Sequence, residues 1–439
     1  MSTPESETGD EESLVLVYFE ESQYLSDSTN TANQSTLSQL GLRLEHEEGK
    51  NFTKKIDAHG VFSFTETRTP YIAVPELYFE SNPKKNFYFT LGRKKKSWSR
   101  ADELWHLGLW QPLARWDYFR PEPQGLTGLT LGVQNSWVGL ELFGSTVFIP
   151  DQGPQFQIVN GHFESENRWF WKPQTQANVL GSERDLRYEL VTPEVADVIN
   201  NGSLAGRLWL GQYQKTAWAS VAYADKPVNQ FHLAVDPEYQ IQLERASEPV
   251  VGIFPRVIRH KLTTVEVGVG PKAFNLTASL TDEETSRPEF VSRYMQSALS
   301  DNRWMALSMN HTLFFRDFEA TWAYLQREVR NRAVHDQLMG SEVESSYDRF
   351  PIEEAASFSW KGTLRFFSQN FFWRGQYWYS IKEEGGWLST GLLWQATRDL
   401  GWYLDFDVLG TNLDPEKSQG FISRYRGNDR VLVGMTYVF

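Results

Sequence analysis

From Leu14 to Phe439 the chain alternates apolar and polar residues with a period of two, and the polar side of that alternation carries full charges. A period of two is the signature of extended strands with one apolar face. The inner faces of a β-sandwich or a small soluble barrel are dry and do not hold unpaired Arg, Lys and Asp. A soluble sheet that turns its charges to water needs a second apolar layer for its other face, and no amphipathic helix in the sequence is long enough to supply one. Lipid supplies that layer best. The pattern therefore predicts an all-β chain folded as a transmembrane antiparallel β-barrel, apolar outside and polar inside.

The alternation recurs along the whole chain. Leu40, Leu42 and Leu44 oppose Gln39, Gly41, Arg43 and Glu45, and Ile56, Ala58, Phe62 and Phe64 oppose Asp57, His59 and Ser63. Further on, Phe358, Trp360 and Leu364 oppose Lys361 and Arg365; Trp373, Tyr377 and Tyr379 oppose Arg374; and Trp402, Leu404, Phe406 and Val408 oppose Asp405 and Asp407. The last ten residues place Val431, Val433, Met435, Tyr437 and Phe439 on one side. Segments of about 9 to 12 residues suit tilted membrane strands, and counting them gives about 18, within roughly 16 to 20, enough for an aqueous lumen.

Two insertions break the rhythm, at 95–127 and 150–202, and polar connections follow at 281–301 and 329–350, the last with a helical turn expected around 329–339. Short turns such as Glu383 to Gly386 are expected at the opposite end. Residues 1–13 are acidic and polar and predict a disordered tail ahead of a single barrel domain, 14–439. The N-terminus lacks a positive and then apolar stretch, so the sequence reads as a mature form without its signal peptide.

Composition narrows the classes. Aromatics make up 15% of the chain, with 17 Trp, an excess that fits two interfacial belts. Cysteine is absent, which removes thiolate metal sites and thiol nucleophiles. A net charge of −13 argues against a nucleic-acid partner. The eight histidines are scattered outside any nucleophile motif, with His59 and His232 lumen-facing by parity, so no catalytic residue, metal or cofactor is proposed.

The most chemically distinctive stretch lies in the first insertion. Arg93, Lys94, Lys95, Lys96 and Arg100 precede Asp102 and Glu103, then Arg115, Asp117, Arg120 and Glu122 follow. Opposed rows of charge across a narrowing create a transverse field that favours polar solutes. The interleaved Trp98, Trp105, Trp110 and Trp116 are candidate stacking platforms for sugar rings. The competing reading makes the basic run a charged rim and the tryptophans a packing surface against the wall.

Glu76-Leu77-Tyr78-Phe79-Glu80, Phe89-Thr90-Leu91-Gly92-Arg93 and Trp98-Ser99-Arg100-Ala101-Asp102 together resemble a signature of large porin-like barrels, including the alginate-exporter type. Gly434, Tyr437 and Phe439 are similar to the C-terminal signal read by the outer-membrane barrel-assembly machinery. The resemblance implies a wide barrel in the bacterial outer membrane, in contact with lipid and lipopolysaccharide, whose insertion after Arg93 folds into the lumen as a constriction.

Three functions then compete. A porin-like channel for hydrophilic solutes needs only width and field. An export conduit for a secreted polysaccharide, working with periplasmic partners, would suit the inward basic residues Arg207, Lys361, Arg365, Arg374 and Lys382, whereas Glu141, Glu266, Glu319, Asp405 and Asp407 weigh against an anionic polymer. A structural barrel plugged by its own loops or by a lipoprotein partner shows the same strand pattern.

Overall fold

The computed structural model describes residues 12–28, 31–32, 34–49, 52–65, 70–81, 86–179, 182–213, 215–235, 249–286, 299–312, 317–331, 349–366, 369–413 and 420–439. Eighteen strands, each antiparallel to its neighbours, form one sheet. The first nine are β1 (Glu12–Tyr24), β2 (Thr36–Glu48), β3 (Phe52–Ser63), β4 (Tyr71–Ser81), β5 (Phe87–Lys94), β6 (Leu126–Gln134), β7 (Val138–Ser145), β8 (Ser203–Gly211) and β9 (Trp218–Pro227). The remaining nine are β10 (Arg259–Val269), β11 (Phe274–Thr285), β12 (Asp301–Thr312), β13 (Phe318–Asn331), β14 (Glu354–Phe366), β15 (Gln369–Ser380), β16 (Gly385–Gln395), β17 (Leu400–Thr411) and β18 (Arg430–Val438). The last strand pairs with the first, Tyr24 opposite Arg430 and Leu16 opposite Val438, so the sheet has no edge. This is a closed antiparallel transmembrane β-barrel, with the strand number the alternation predicts.

The apolar face points outward. Leu40, Leu42, Leu44, Leu129, Leu131, Val133, Trp402, Leu404, Phe406 and Val408 are exposed on the outer wall, while Asp405 and Asp407, their neighbours along β17, are buried inside. At one end of the barrel the connections are two to six residues long, and β1 begins and β18 ends there. The long connections, 95–125 and 146–202 among them, lie at the other end. The four-residue turn 381–384 is at this loop end rather than with the short turns, because β15 runs toward the long loops.

Several boundaries move from their sequence-based positions. β1 begins at Glu12, so only residues 1–11 of the expected tail remain, and these lie outside the described residues. The two insertions span 95–125 and 146–202. Of the connections expected at 281–301 and 329–350, residues 281–285 complete β11, Asp301 opens β12 and residues 329–331 complete β13 as strand rather than as the start of a helical turn, the rest of that turn lying outside the described residues. His232 is not on the wall: it opens a small sheet of His232–Val235, Val250–Arg256 and Arg187–Leu190 within the loop-end connections.

Two local devices shape the wall near the site. Inward glycines receive flat rings from the next strand: a Cβ at Gly434 would lie 2.2 Å from the Tyr403 ring, and one at Gly41 would lie 1.9 Å from that of Tyr18. Gly434 therefore has a packing reason of its own, beside its place in the C-terminal motif. The β3–β4 pairing also slips between Asp57, opposite Glu76, and His59, opposite Ala73, leaving an irregularity at Val74-Pro75. Such bulges re-aim side chains, and here the freed carbonyl of Pro75 accepts the Gly125 amide at 2.9 Å, tying down the end of the first long loop.

Candidate functional site

The first long loop folds into the lumen. Its short helix α1 (Arg100–Trp105) is capped by Ser99, whose Oγ accepts the Asp102 amide at 3.2 Å. Glu266 on the wall strand β10 reaches the same helix start, accepting the Arg100 amide at 2.7 Å and the Ser99 hydroxyl at 3.1 Å. A carboxylate at a helix N-terminus satisfies amides that the helix itself leaves unpaired. Asp102 is buried and accepts from the amides of Leu109 and Trp110 at 2.9 and 3.1 Å, winding the loop around one side chain. Burial pushes its carboxyl up to about 6.

The tryptophans of this loop are packed. Trp98 and Trp110 are each 1% exposed and stack on each other with ring centres 5.4 Å apart, and Trp105 (3%) packs on Trp378 of β15 at 5.4 Å. Around them the inward positions of β9, β12, β13 and β14 carry Ala222, Ala224, Ala306, Ala323 and Ala355, whose small side chains leave room for the indoles. Burying one indole contributes about 4 to 6 kcal/mol as an upper bound, so three of them hold the loop firmly. One side of the lumen is therefore solid.

The other side is open. A cavity of about 1000 Å³ is walled by β1–β4 and β13–β18, with Trp116, Asp117, Arg120 and Glu122 of the loop on its inner side. Lys361 and Arg374 stand into it with side chains 72% and 71% exposed, 2.9 Å from Glu319 and 3.6 Å from Asp405. Exposed pairs of this kind are worth at most about 1 kcal/mol, so their cationic heads stay free to meet a solute. A smaller neighbouring space of about 490 Å³ shares Arg120, Lys361, Arg374 and Asp405 and reaches Lys272 and His311 at the turn end.

Between plug and cavity lies a row of buried charges. Arg120 donates to Asp405 at 2.9 Å and to Asp407 at 2.8 Å. Asp407 is fully buried and also accepts from Arg430 at 2.8 Å and Ser389 at 2.6 Å, and Arg430 reaches Asp117. Farther round, Arg43 pairs with Asp57 at 2.6 Å and with Glu122 at 3.7 Å, and Glu122 lies 3.1 Å from His59.

At the loop end, aromatic rings and one arginine cap the cavity. Trp169 of the second long loop packs with Tyr118, Phe119, Phe421 and Tyr425, at ring distances of 5.1 to 6.1 Å. Beside it the buried Arg168 donates to the carbonyls of Ser26 (2.7 Å), Gln34 (2.8 Å) and Gly427, and lies over the Tyr24 ring. It thus joins three loops. Desolvation lowers its guanidinium from the usual value.

The basic run of the sequence is tied to the wall rather than presented to solute. Lys94 pairs with Glu80, Lys95 with Asp57 at 3.5 Å and Lys96 with Glu141 at 2.7 Å, while Arg93 Nε donates to the Gly125 carbonyl at 3.0 Å. Arg100 pairs with Glu103 at 3.4 Å and covers the Tyr213 ring. Arg115 is buried, donating to the carbonyls of Leu107 and Arg349 at 3.1 and 3.2 Å. Trp116 is the one of the four candidate tryptophans that lines the cavity. Lys361, Arg374 and Asp405 line it as parity implies; Arg365 is exposed farther toward the turn end, and Asp407 belongs to the buried row. Arg207 instead binds the Ser97 carbonyl, and Lys382 sits in the loop-end turn, 2.6 Å from Glu353. Tyr437 and Phe439 are exposed on the outer wall at the turn end, their rings 4.7 Å apart. The residues missed by the sequence reading are Arg168 and Arg430, which reach across the fold to Ser26, Gln34 and Gly427 and to Asp117.

No protein-family model matches the chain, and no curated protein sequence matches it. Among solved structures it is similar to OccK9 (OpdG) of Pseudomonas aeruginosa, at 8% identity over 97% of each chain with a TM-score of 0.45. OccK5 (OpdH) of the same organism is similar at 10% identity over 98% of each chain, with a TM-score of 0.44. Salmonella typhi OmpF, solved in complex with daunomycin, is similar at 11% identity over 98% of this chain and 97% of that one, with a TM-score of 0.39.

Proposed function

We propose that the protein is a porin-like channel of the bacterial outer membrane that passes hydrophilic solutes and performs no covalent chemistry. The observation that carries this is the mixed-charge cavity in an otherwise apolar-walled barrel: Lys361 and Arg374 on one side, Glu20, Asp117 and Glu122 on others, around about 1000 Å³. Charges placed across a water-filled narrowing select polar solutes by field. The aromatic cap makes the channel a gated one, in which loop-end contacts separate before a solute passes. The outer wall meets lipid and lipopolysaccharide, and the C-terminal strand with Gly434, Tyr437 and Phe439 is the part offered to the barrel-assembly machinery.

The plugged scaffold is the second reading, and the packed Trp98, Trp105 and Trp110 favour it; a lipoprotein partner would then sit at the turn end. An export conduit with periplasmic partners is supported by the exposed Lys361, Arg365 and Arg374, against which Glu319 and Asp405 lie close.

Single-channel recording of the refolded protein in planar bilayers tests the proposal. Discrete openings are expected, with selectivity moving toward cations when Lys361 and Arg374 are both changed to Gln. A folded barrel that never conducts, with or without voltage, would refute the channel and leave the scaffold.

A further inference from the structure

One carboxylate inside the barrel is left without a cation. Asp117, Glu122, Glu319 and Asp405 line the cavity, and each is paired with an arginine or lysine at 2.9 to 3.7 Å. Glu20 of β1 lines it too and, among the described residues, forms no ion pair. Its Oε2 accepts from the Tyr403 hydroxyl at 3.1 Å, while its Oε1 has no protein partner and is not closed off from solvent. Asp317 is also unpaired, but it stands in an exposed turn. Arg120 and Arg430 face Glu20 from the loop and from β18, yet both are bound to Asp117 and Asp407, and Arg120 to Asp405 as well. With Arg374 counted, this side of the cavity still carries one negative charge more than positive. Charge left over on the wall of a confined aqueous space draws ions of the opposite sign.

Two tyrosine rings flank this carboxylate. Tyr403 of β17 reaches Glu20 across Gly434, and Tyr18, two residues before Glu20 on the same face of β1, lies over Gly41. Each ring is half-buried, with strand backbone beneath it, and both line the cavity. The protein places its own cations over other rings: Arg168 over Tyr24, Lys94 over Tyr78 and Arg430 over Phe119. Among the described residues none lies over Tyr18 or Tyr403.

The chemistry of the missing partner follows from that set. It must be cationic, to balance Glu20, and it must donate a hydrogen bond to Oε1. It must also have a surface that rests against phenol rings. An ammonium group on an apolar stem does all three, because its N–H groups donate to the carboxylate and its charge is attracted to aromatic faces. A divalent metal ion needs several oxygen ligands, and no group of three acidic or histidine side chains among the described residues could hold one.

We infer that this side of the cavity is a binding subsite for an organic ammonium ion, with Glu20 as its counter-ion and Tyr18 and Tyr403 as the rings its stem lies against. The inference rests on the channel reading for its biological sense, since the site lies on the conduction path. The binding itself does not depend on conduction.

The test is isothermal titration calorimetry of the full-length refolded protein in a maltoside detergent, with cadaverine and with 1,5-pentanediol, which has the same stem and no charge. Cadaverine is expected to bind and the diol not to bind at the same concentrations, and an equal concentration of potassium ions should displace little of the cadaverine. Glu20→Gln should weaken cadaverine roughly 10- to 100-fold, the loss of one charged hydrogen bond. Tyr18→Leu gives a second lesion should Glu20→Gln fail to fold, and is expected to cost about threefold. Glu48→Gln, a carboxylate exposed at the turn end beside Lys54, should leave the affinity unchanged. Folded wild-type protein that ignores cadaverine, a Glu20→Gln variant that binds it as well as wild type, or displacement by potassium at equal concentration overturns the inference. A protein that binds cadaverine but never conducts keeps the subsite and loses the channel; one that conducts without binding does the reverse.

Discussion

Replacing Asp407 by Asn should loosen the boundary between plug and cavity. Asp407 is fully buried and accepts from Arg120, Arg430 and Ser389. With Asp117 and Asp405 it supplies three negative charges, balanced by Arg120, Arg430 and the nearby Arg374. Neutralising it leaves one cation in excess. Removing one partner of a buried pair costs about 3 to 5 kcal/mol. Asn keeps the shape and one acceptor, and the Arg120 side chain is 29% exposed and partly hydrated, so about 2 to 3 kcal/mol is the appropriate range here. At 1.4 kcal/mol per factor of ten, the closed-to-open ratio of the loop segment holding Asp117 and Arg120 should fall roughly 30- to 150-fold. Among the described residues no hydrogen bond joins the indoles of Trp98, Trp105 and Trp110 to this row, so the rest of the plug should stay docked and only the segment nearest the cavity should move. Single-channel recording reads this as longer and more frequent openings, and the double variant Asp407→Asn with Arg120→Gln, which restores charge balance, should return most of the way to wild type. An Asp407→Asn protein that is folded, by its heat-modifiable migration and circular dichroism, yet gates like wild type would refute the assignment of this row as the hinge between plug and lumen.

Other consequences are open to direct measurement. Burial raises the carboxyls of Asp102 (to about 6), Glu122, Asp151, Glu383 and Asp429 in the loop-end connections. A group whose folded pKa is raised binds more protons when folded, so these loops should dock more tightly as pH falls from 7 toward 5, and conductance should fall with it. His106, lowered to about 4, opposes this, so His106→Gln should steepen the trend; a conductance that rises in mild acid in that variant would contradict the assignment. Gly434→Ala places a methyl 2.2 Å from the Tyr403 ring and should slow refolding or yield less folded barrel, with partial rescue by Tyr403→Ala; an unrescued defect would assign the glycine to recognition by the assembly machinery rather than to packing.

The barrel was legible in the sequence because its two faces meet different solvents. A period-two pattern with Leu40, Leu42 and Leu44 on one side and Arg43 on the other has few other solutions once no helix can cover the apolar face. The folding of the first insertion into the lumen was legible as well, through its resemblance to porin-like chains. The chemistry of that insertion was not. Arg93 to Lys96 read as one side of a constriction or as a charged rim, yet Lys94, Lys95 and Lys96 are paired with Glu80, Asp57 and Glu141 of the wall, partners that only the folded barrel brings to them. The tryptophans read equally well as platforms or as packing. The deciding signal lay on other strands, in the inward alanines of β9, β12, β13 and β14, which leave space only for something large. Arg168 gave no local signal at all, since its acceptors, three backbone carbonyls and Asn428 Oδ1, belong to two other loops.

In the proposed channel the lumen is an aqueous cavity reached from the turn end and capped at the loop end. The sequence has no cysteine, so Lys361→Cys places a single thiol in the cavity without further engineering. In vesicles of known orientation, a membrane-impermeant maleimide applied from the turn side should label it rapidly, and the same reagent from the loop side should label it far more slowly, with Arg168→Ala narrowing the difference. Equal labelling from both sides in the wild-type background would contradict the cap, and no labelling from either side would contradict the cavity.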